Sequence, residues 1–454
     1  MVQATLARRL HDAVSWRHAG ASADSPLNRG AVRRPSSASD GRGRDRRLDL
    51  RSSAQSIDPL RRILVARGLR AFGDGYISLL LPVYLLSLGF SAFDVGIIAT
   101  ATLFGSGALT LSLGLCAHRF RTRSLLLAAA ALMAATGIAF VAVTGFWALL
   151  VVAVVGTLNP SSGDVSVFLP LEHASLAHSA PDAQRTAWFA RYSLVGALTG
   201  AAGAVCAGVP QLLASTGIPI TTAMHAMFIL YALIGGICAL IYRRLPAPVA
   251  STSDAPTGPL RHSRRIVFAL AALFSIDAFG GGLIVQSLLA LWLLERFALS
   301  ISTAGVIFFW TGVLSAFSYL VAVRIADRFG LVNTMVFTHL PSSVLLILVA
   351  FAPNLPTAIV LLLMRSALSQ MDVPTRSAFV MSVVPPGERA AAASVTAVPR
   401  SLASAAGPLC AGYLLTLSTF GWPLIAAGVV KIAYDLMLLA FCRTLRVPRS
   451  RQVP

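Results

Sequence analysis

The sequence predicts an all-α membrane protein with twelve transmembrane helices arranged in two six-helix bundles. Of its 454 residues, 56% are hydrophobic and only 12% are charged, whereas a soluble domain typically has about 25% charged residues. The mean hydropathy is +0.74, and many apolar runs reach the roughly 20 residues that cross a bilayer core. We expect these runs to be helices because a helix satisfies its own backbone hydrogen bonds in lipid.

Twelve apolar runs follow a polar N-terminal segment, and we number them as spans 1 to 12. Spans 1 to 6 are predicted at residues 60–88, 93–117, 124–144, 146–168, 186–209 and 222–243. Spans 7 to 12 are predicted at residues 265–295, 302–325, 332–352, 356–382, 390–416 and 421–442. Residues 1–58 are rich in Arg and Ser and lack the apolar core of a secretory signal, so we expect a disordered tail. An alternative is that translation starts further downstream.

The distribution of arginine predicts the orientation in the membrane. Arginines occur in the N-terminal tail, in the connections after spans 2, 6, 8 and 10, and at the C-terminus, but the connections after spans 3, 5, 9 and 11 contain neither Lys nor Arg. Arg296, after span 7, is the exception. Arg-rich loops stay in the cytoplasm, so we expect both termini on the cytoplasmic side of a bacterial plasma (inner) membrane. The net charge of +19 therefore reflects orientation, and we expect no nucleic-acid partner.

A polar, Pro-rich segment divides the chain into two halves. Residues 59–245 are predicted to form the N-terminal bundle and residues 265–443 the C-terminal bundle, with a cytoplasmic linker at 246–264 and a cytoplasmic tail at 444–454. The halves also resemble each other at a nearly constant spacing of 204 to 207 residues (407 − 203 and 278 − 71). The matched segments are Ala71-Phe72-Gly73 with Ala278-Phe279-Gly280, and Gly203-x-x-Cys206-Ala207-Gly208 with Gly407-x-x-Cys410-Ala411-Gly412.

A basic loop motif follows spans 2 and 8. Asp327-Arg328-Phe329-Gly330 follows span 8, and an imperfect copy, His118-Arg119-Phe120, follows span 2. This motif, the two six-span halves and the central linker together resemble the major facilitator superfamily. The resemblance implies a secondary transporter whose halves rock around a mid-membrane site for a small molecule. Gly407-Pro408 in span 11 is similar to a motif that exporters of this family have in span 5, which slightly favours export.

Charged residues inside apolar spans are costly and are therefore candidates for substrate binding or ion coupling. Arg70 and Asp74 lie four residues apart in span 1, where they could form a local ion pair or line the cavity. Asp277 in span 7 is the repeat counterpart of Arg70 (277 − 70 = 207), so the two could form a gate between the halves. Asp277 could equally pair elsewhere or face water.

Spans 9, 10 and 12 add further polar candidates. Arg365 and Gln370 in span 10 resemble a displaced copy of a family motif, and Arg365 could bind an anionic substrate, relay charge or pack against backbone carbonyls. Lys431 and Asp435 in span 12 have the spacing of a self-neutralising pair. His339 in span 9, like His225 in span 6, is expected to pack in the core.

A second group of polar residues is predicted near the cytoplasmic ends of the spans. We interpret it as a latch that holds the inside-closed state; the alternative is a static surface network. The group comprises Arg119, Asp164, Arg185, Arg324, Asp327, Arg328, Gly330, Asp372, Arg376 and Arg389.

These features predict secondary active transport of a small organic solute by alternating access, coupled to protons, with a slight preference for efflux. Alternatives are proton-coupled uptake of a small metabolite and a non-transporting sensor or scaffold on the same fold. The sequence has no phosphate-binding loop, zinc motif or nucleophile elbow, so we expect neither enzyme activity nor a cofactor. Membrane lipid and protons are the other expected partners, and we expect a monomer.

Overall fold

The computed structural model describes residues 41–116, 120–161, 166–179, 184–245, 263–385 and 388–444. Side chains are described in the same ranges except at residues 41–57, 113–116, 177, 178, 185, 186, 389–391 and 444. The chain divides into a short unit, Met1–Ser53, and a main unit, Ala54–Pro454. All contacts discussed below belong to the main unit.

The regular structure in these described ranges is entirely helical. Nine of the described helices are long and apolar enough to cross a membrane, and Phe146–Val155 is a shorter apolar helix. The helices of the first half are Gly41–Ser87, Ala92–Cys116, Thr122–Ala142, Phe146–Val155, Phe168–Ser179, Arg185–Cys206, Val209–Ser215 and Ile220–Arg243. Those of the second half are Arg264–Gly282, Gln286–Phe297, Ile301–Phe329, Leu331–Ala350, Leu355–Ser369, Asp372–Val383, Arg389–Leu417 and Trp422–Thr444. The predicted all-α membrane fold is confirmed.

Three predicted spans are broken into two helical segments, which corrects the continuous spans expected from hydropathy. Span 4 was predicted at 146–168, but its first helix ends at Val155 and a second helix, Phe168–Ser179, follows. Gly156 ends the first helix, and Pro160 shortly after has no backbone N–H to continue it.

The helix of span 1 already begins at Gly41, inside the tail that was expected to be disordered.

In span 7 the first helix ends at Gly282 and the second begins at Gln286. In span 10 the first helix ends at Ser369 and the second begins at Asp372. Pro374 does not cause the break in span 10 directly, because it lies in the first turn of the segment Asp372–Val383. In that turn a missing N–H costs no hydrogen bond. Spans 4, 7 and 10 therefore each have an interrupted backbone inside the membrane-spanning region. Such interruptions are tolerated where the backbone is buried in protein or lines a water-filled cavity.

The same glycine contact recurs in both halves. A Cβ atom on Gly75 of span 1 would lie 3.1 Å from the Cα atom of Gly200 in span 5. In the second half, a Cβ atom on Gly282 of span 7 would lie 3.0 Å from the Cα atom of Gly407 in span 11. Both pairs are related by the same spacing (282 − 75 and 407 − 200 both give 207). Glycine permits this close approach of two helix backbones in each bundle.

The two halves also contact each other closely, near one set of helix ends. A Cβ atom on Gly96, close to the start of span 2, would lie 2.6 Å from the carbonyl oxygen of Pro408 in span 11. Between spans 4 and 7, the backbone N–H of Ser287 donates a hydrogen bond to the carbonyl oxygen of Pro160, with an N···O distance of 3.1 Å. Ser302 at the start of span 8 also contacts Gln211. These contacts lie towards the ends opposite to the Arg-containing loop motif after span 8.

Candidate functional site

A buried ion pair lies inside the first bundle. Arg70 of span 1 is 1% exposed, and its guanidinium contacts the carboxylate of Glu172 in the second segment of span 4. The hydroxyl groups of Tyr192 and Tyr242 both donate hydrogen bonds to Glu172. The Arg70 guanidinium also stacks over the ring of Phe168, 4.0 Å from its centroid. Both charged groups of this pair are thus held by neighbours, which a buried ion pair requires.

The partner of Arg70 is therefore Glu172 and not Asp74, the local partner that the spacing suggested. Glu172 was missed because span 4 was predicted to end at residue 168, which left this carboxylate in a loop. Asp74 is also buried, at 7% exposure, and it lies within the electrostatic influence of Arg67 and Arg70. Among the described side chains of the first bundle, the buried charged groups are Arg67, Arg70, Asp74 and Glu172, and their formal charges balance.

A larger charged cluster lies inside the second bundle, and we call it the C-half cluster. Asp277 of span 7 accepts hydrogen bonds from Arg376, at 2.8 Å, and from Lys431, at 2.7 Å. Arg376 also contacts Asp372, one helical turn before it. His339 lies between two carboxylates, with Nε2 3.5 Å from Asp277 and Nδ1 3.0 Å from Asp435. The six residues of the C-half cluster are Asp277, His339, Asp372, Arg376, Lys431 and Asp435.

The two bundles contain the same ion pair with its charges exchanged. Arg70 and Glu172 join span 1 to the second segment of span 4. Asp277 and Arg376 join span 7 to the second segment of span 10. The repeat relates Arg70 to Asp277 (277 − 70 = 207) and Glu172 to Arg376 (376 − 172 = 204). Arg70 and Asp277 were expected to meet across the halves as a gate, but each is instead paired inside its own bundle.

The formal charges of the C-half cluster do not balance unless it holds a proton. Three aspartates contribute −3 and two basic side chains, Arg376 and Lys431, contribute +2. With a neutral His339 the cluster has a net charge of −1, and with a protonated His339 it is neutral. The aspartates are 0 to 5% exposed, so an uncompensated charge there is costly.

Asp277, His339 and Asp372 also place one ligand atom each within 4.8 Å of one another, a geometry that could hold a metal ion. Arg376 and Lys431 already contact these carboxylates. A metal ion would have to displace those cations, so the donor set suits a proton better.

Two expectations for this region are corrected by the contacts. Lys431 and Asp435 do not pair with each other, since Lys431 contacts Asp277 and Asp435 contacts His339. The spacing of four residues places both side chains on one face of span 12, but spans 7 and 9 offer closer partners. His339 is part of the charged cluster and not a plain packing residue. His225 lies 3.3 Å from the hydroxyl group of Tyr84.

Span 10 places two further candidates close to the break in its helix. Gln370 follows the segment Leu355–Ser369, and its side-chain oxygen accepts a hydrogen bond of 3.2 Å from the hydroxyl group of Tyr319 in span 8. Arg365 is partly buried. Its Nε atom is buried, and it has no hydrogen-bond partner among the described residues.

The predicted latch residues are distributed over two separate places. Arg324, Asp327, Arg328 and Gly330 are exposed at the end of the long helix Ile301–Phe329. Asp372 and Arg376 are instead buried in the C-half cluster. Among the described side chains, no ion pair joins the two groups. Arg119 and Asp164 lie outside the described residues, as do the side chains of Arg185 and Arg389.

Comparisons with known proteins agree with this architecture. The family model of the Major Facilitator Superfamily matches residues 63–290 and 270–454. An uncharacterized membrane protein of Saccharomyces cerevisiae, YJR124C, is 25% identical over 407 residues, which are 82% of this chain and 91% of that protein.

Among solved structures, the nucleoside transporter NupG is similar, with a TM-score of 0.65 and 15% identity. The match covers 85% of this chain and 99% of that chain. The xylose transporter XylE from E. coli, in a partially occluded inward-open conformation, has a TM-score of 0.65 and 15% identity, with coverage of 84% and 99%. The family match covers both bundles and the buried charged residues described above. The chain therefore belongs to the Major Facilitator Superfamily and is a membrane transporter of small molecules rather than an enzyme.

Proposed function

We propose that the chain is a proton-coupled secondary transporter of a small organic solute, and that the C-half cluster binds the coupling proton. The observation that carries this proposal is the position of His339 between Asp277 and Asp435. Its two ring nitrogens face two carboxylates, and Nε2 also lies 3.5 Å from Nζ of Lys431. A neutral Nε2 can accept a hydrogen bond from Lys431, whereas a protonated imidazole can donate one hydrogen bond to each carboxylate. A neutral imidazole has only one N–H and can serve only one carboxylate.

Proton binding at His339 would change how strongly the C-half cluster holds its helices together. Asp277 of span 7 is shared among His339 of span 9, Arg376 of span 10 and Lys431 of span 12. A proton on His339 adds a third cation beside Asp277 and so weakens the hold of this carboxylate on Arg376. Spans 7 and 10 are both interrupted near this depth. A change in charge can therefore be converted into movement of their segments.

Alternating access requires that the halves close at one end while they open at the other. The close contacts of Gly96 with Pro408 and of Ser287 with Pro160 support closure at one end. The loop residues Arg324, Asp327 and Arg328 are exposed at the opposite end, which is compatible with an open latch. We propose that in the other state Asp327 pairs with arginines among Arg119, Arg185 and Arg389, and that Arg324 and Arg328 pair with Asp164, because opposite charges attract.

The direction and the location of transport rest on the sequence. Arg-rich connections support cytoplasmic termini in the plasma (inner) membrane, and Gly407-Pro408 supports a slight preference for efflux over uptake. In this proposal the transporter works as a monomer surrounded by membrane lipid. The alternative of a sensor or scaffold is disfavoured because a sensor needs no imbalance of buried charge in the membrane.

Flux measurements in proteoliposomes test the proposal. Vesicles with an imposed pH gradient are screened against labelled carboxylates, nucleosides, sugars and amphipathic amines, with a pH-sensitive dye trapped inside. We expect at least one compound to accumulate against its gradient, together with proton movement in the dye signal. His339→Gln should abolish the gradient-driven part, and His225→Gln is the matched control. Equal accumulation with and without the pH gradient would contradict proton coupling, and no flux of any compound would contradict transport.

A further inference from the structure

Arg365 differs from Arg70 and Arg376, which have carboxylate partners, and from Arg67, which lies over the ring of Tyr192 and within the electrostatic influence of Asp74. Arg70 has a carboxylate partner in Glu172, and Arg376 has carboxylate partners in the C-half cluster. No carboxylate among the described residues contacts the Arg365 guanidinium, and its Nε atom is buried without a hydrogen-bond partner. A guanidinium has five N–H donors and is always charged. Among the described residues, Arg365 therefore has no counter-charge, and its Nε has no acceptor.

The depth of Arg365 corresponds to the middle of the membrane. It follows the start of the helix Leu355–Ser369 by ten residues (365 − 355). At a rise of 1.5 Å per residue this is about 15 Å, or half of a hydrocarbon core that is roughly 30 Å thick. Substrates of transporters built from two repeats bind at this depth, between the halves.

The backbone around Arg365 is held by hydroxyl groups of the neighbouring spans. The hydroxyl group of Ser342 in span 9 donates to the carbonyl oxygen of Arg365, and that of Ser315 in span 8 donates to the carbonyl oxygen of Ser366. Ser366 is buried in this contact, whereas Arg365 is only partly buried. Its terminal nitrogens are not among the buried atoms without partners. The outer part of the guanidinium therefore reaches open space.

An arginine that faces hydrocarbon at this depth would be very costly, so the open space has to contain water or a polar solute. We propose that Arg365 binds the anionic group of the transported solute, a carboxylate or another monoanion of comparable size. This inference rests on the proposed transport function and adds the substrate class. A carboxylate can accept two parallel hydrogen bonds from one guanidinium and would neutralise its charge.

Gln370 lies at the break in span 10 and is a second polar candidate for contact with the solute. It lies five residues after Arg365 and contacts Tyr319 of span 8. An amide and a phenol hydroxyl can donate or accept hydrogen bonds without adding charge. We therefore expect a substrate with one anionic end and a neutral polar or aromatic remainder.

Pairs of similar shape and different charge test this substrate class. Benzoate is compared with benzamide, and further monocarboxylates are compared with their amides, in vesicles of zwitterionic lipid so that no lipid headgroup carries a net negative charge. We expect transport of at least one carboxylate. The transport rate of its amide should be lower by a factor of about ten or more. Arg365→Gln should lose about tenfold or more of the carboxylate flux, and Arg365→Lys should retain a larger part of it. Arg296→Gln, at an exposed position near the end of the helix Gln286–Phe297, is the control.

The inference is overturned if amides are transported as fast as the acids, or if Arg365→Gln transports the acids at the wild-type rate. A second measurement decides the case in which the wild type transports nothing, which would contradict the proposed function alone. In detergent, benzoate or another carboxylate of the set should raise the melting temperature of the wild type but not of Arg365→Gln. The absence of a rise in the wild type overturns anion binding.

Discussion

Single buried charges are the features that distinguish this chain from a generic bundle of apolar helices. The sequence pointed to Arg70 and Asp277 because both interrupt apolar runs at related positions. Their pairing with Glu172 and Arg376 could not be predicted from the sequence. A partner on another helix depends on how each helix is rotated about its axis and on where its backbone is interrupted. The exchange of charges between the two halves became visible only when both ion pairs were in place.

The ion pair in the first bundle leads to a prediction about stability. Glu172→Gln leaves the Arg70 charge buried without compensation, so we expect the free energy of unfolding to fall by about 3 to 5 kcal/mol. The double variant Arg70→Met/Glu172→Met removes both charges and should recover most of that loss. Melting of the purified protein in detergent checks both values. A double variant as unstable as the single one would show that the pair does not act as a unit.

Asp435 allows the charge imbalance to be tested without touching His339. Asp435→Asn removes one negative charge, so the C-half cluster balances without a proton. We expect this variant to exchange substrate across vesicles but to lose accumulation driven by a pH gradient. The measurement compares exchange with gradient-driven uptake in the same vesicle preparation. Unchanged accumulation in Asp435→Asn would contradict the role of the C-half cluster in coupling.

At the scale of the elements, hydropathy located the spans well but not their interruptions. The apolar character of a segment predicts that it is buried in lipid or protein, and it does not say whether the backbone stays helical throughout. The break in span 4 follows from Gly156 and Pro160, and the break in span 7 follows from the glycines before Leu283. The break before Asp372 has no comparably clear local cause.

Close helix crossings give a prediction at this scale. Gly282→Ala places a methyl group against the backbone of span 11, so we expect a loss of about 1 to 3 kcal/mol in the free energy of unfolding. Gly236→Ala is the matched control, because a Cβ atom there meets nothing within 4 Å, and alanine favours the helix by about 1 kcal/mol. Melting temperatures should therefore move in opposite directions. Equal shifts would mean that the crossing at Gly282 tolerates a side chain.

At the scale of the whole molecule, the repeat in the sequence predicted two related bundles, and the matching contacts of Gly75 and Gly282 agree with them. The sequence could not indicate which end is closed, because one sequence has to stabilise both states of a rocking transporter with similar free energies. Loop charges such as Asp327 are easily recognised in the sequence motif but are exposed in this structure. We propose that they form ion pairs only in the other conformation.

The most direct test of alternating access measures distances between the halves at both ends. In a background without the native cysteines, spin labels replace Phe120 and Phe329 at the end with the loop motifs, and Thr216 and Pro353 at the opposite end; all four side chains are exposed. Lowering the pH, with and without a transported carboxylate, should change the two distances in opposite directions. His339→Gln should remove the response to pH. Two distances that stay constant, or that change together, would contradict the account.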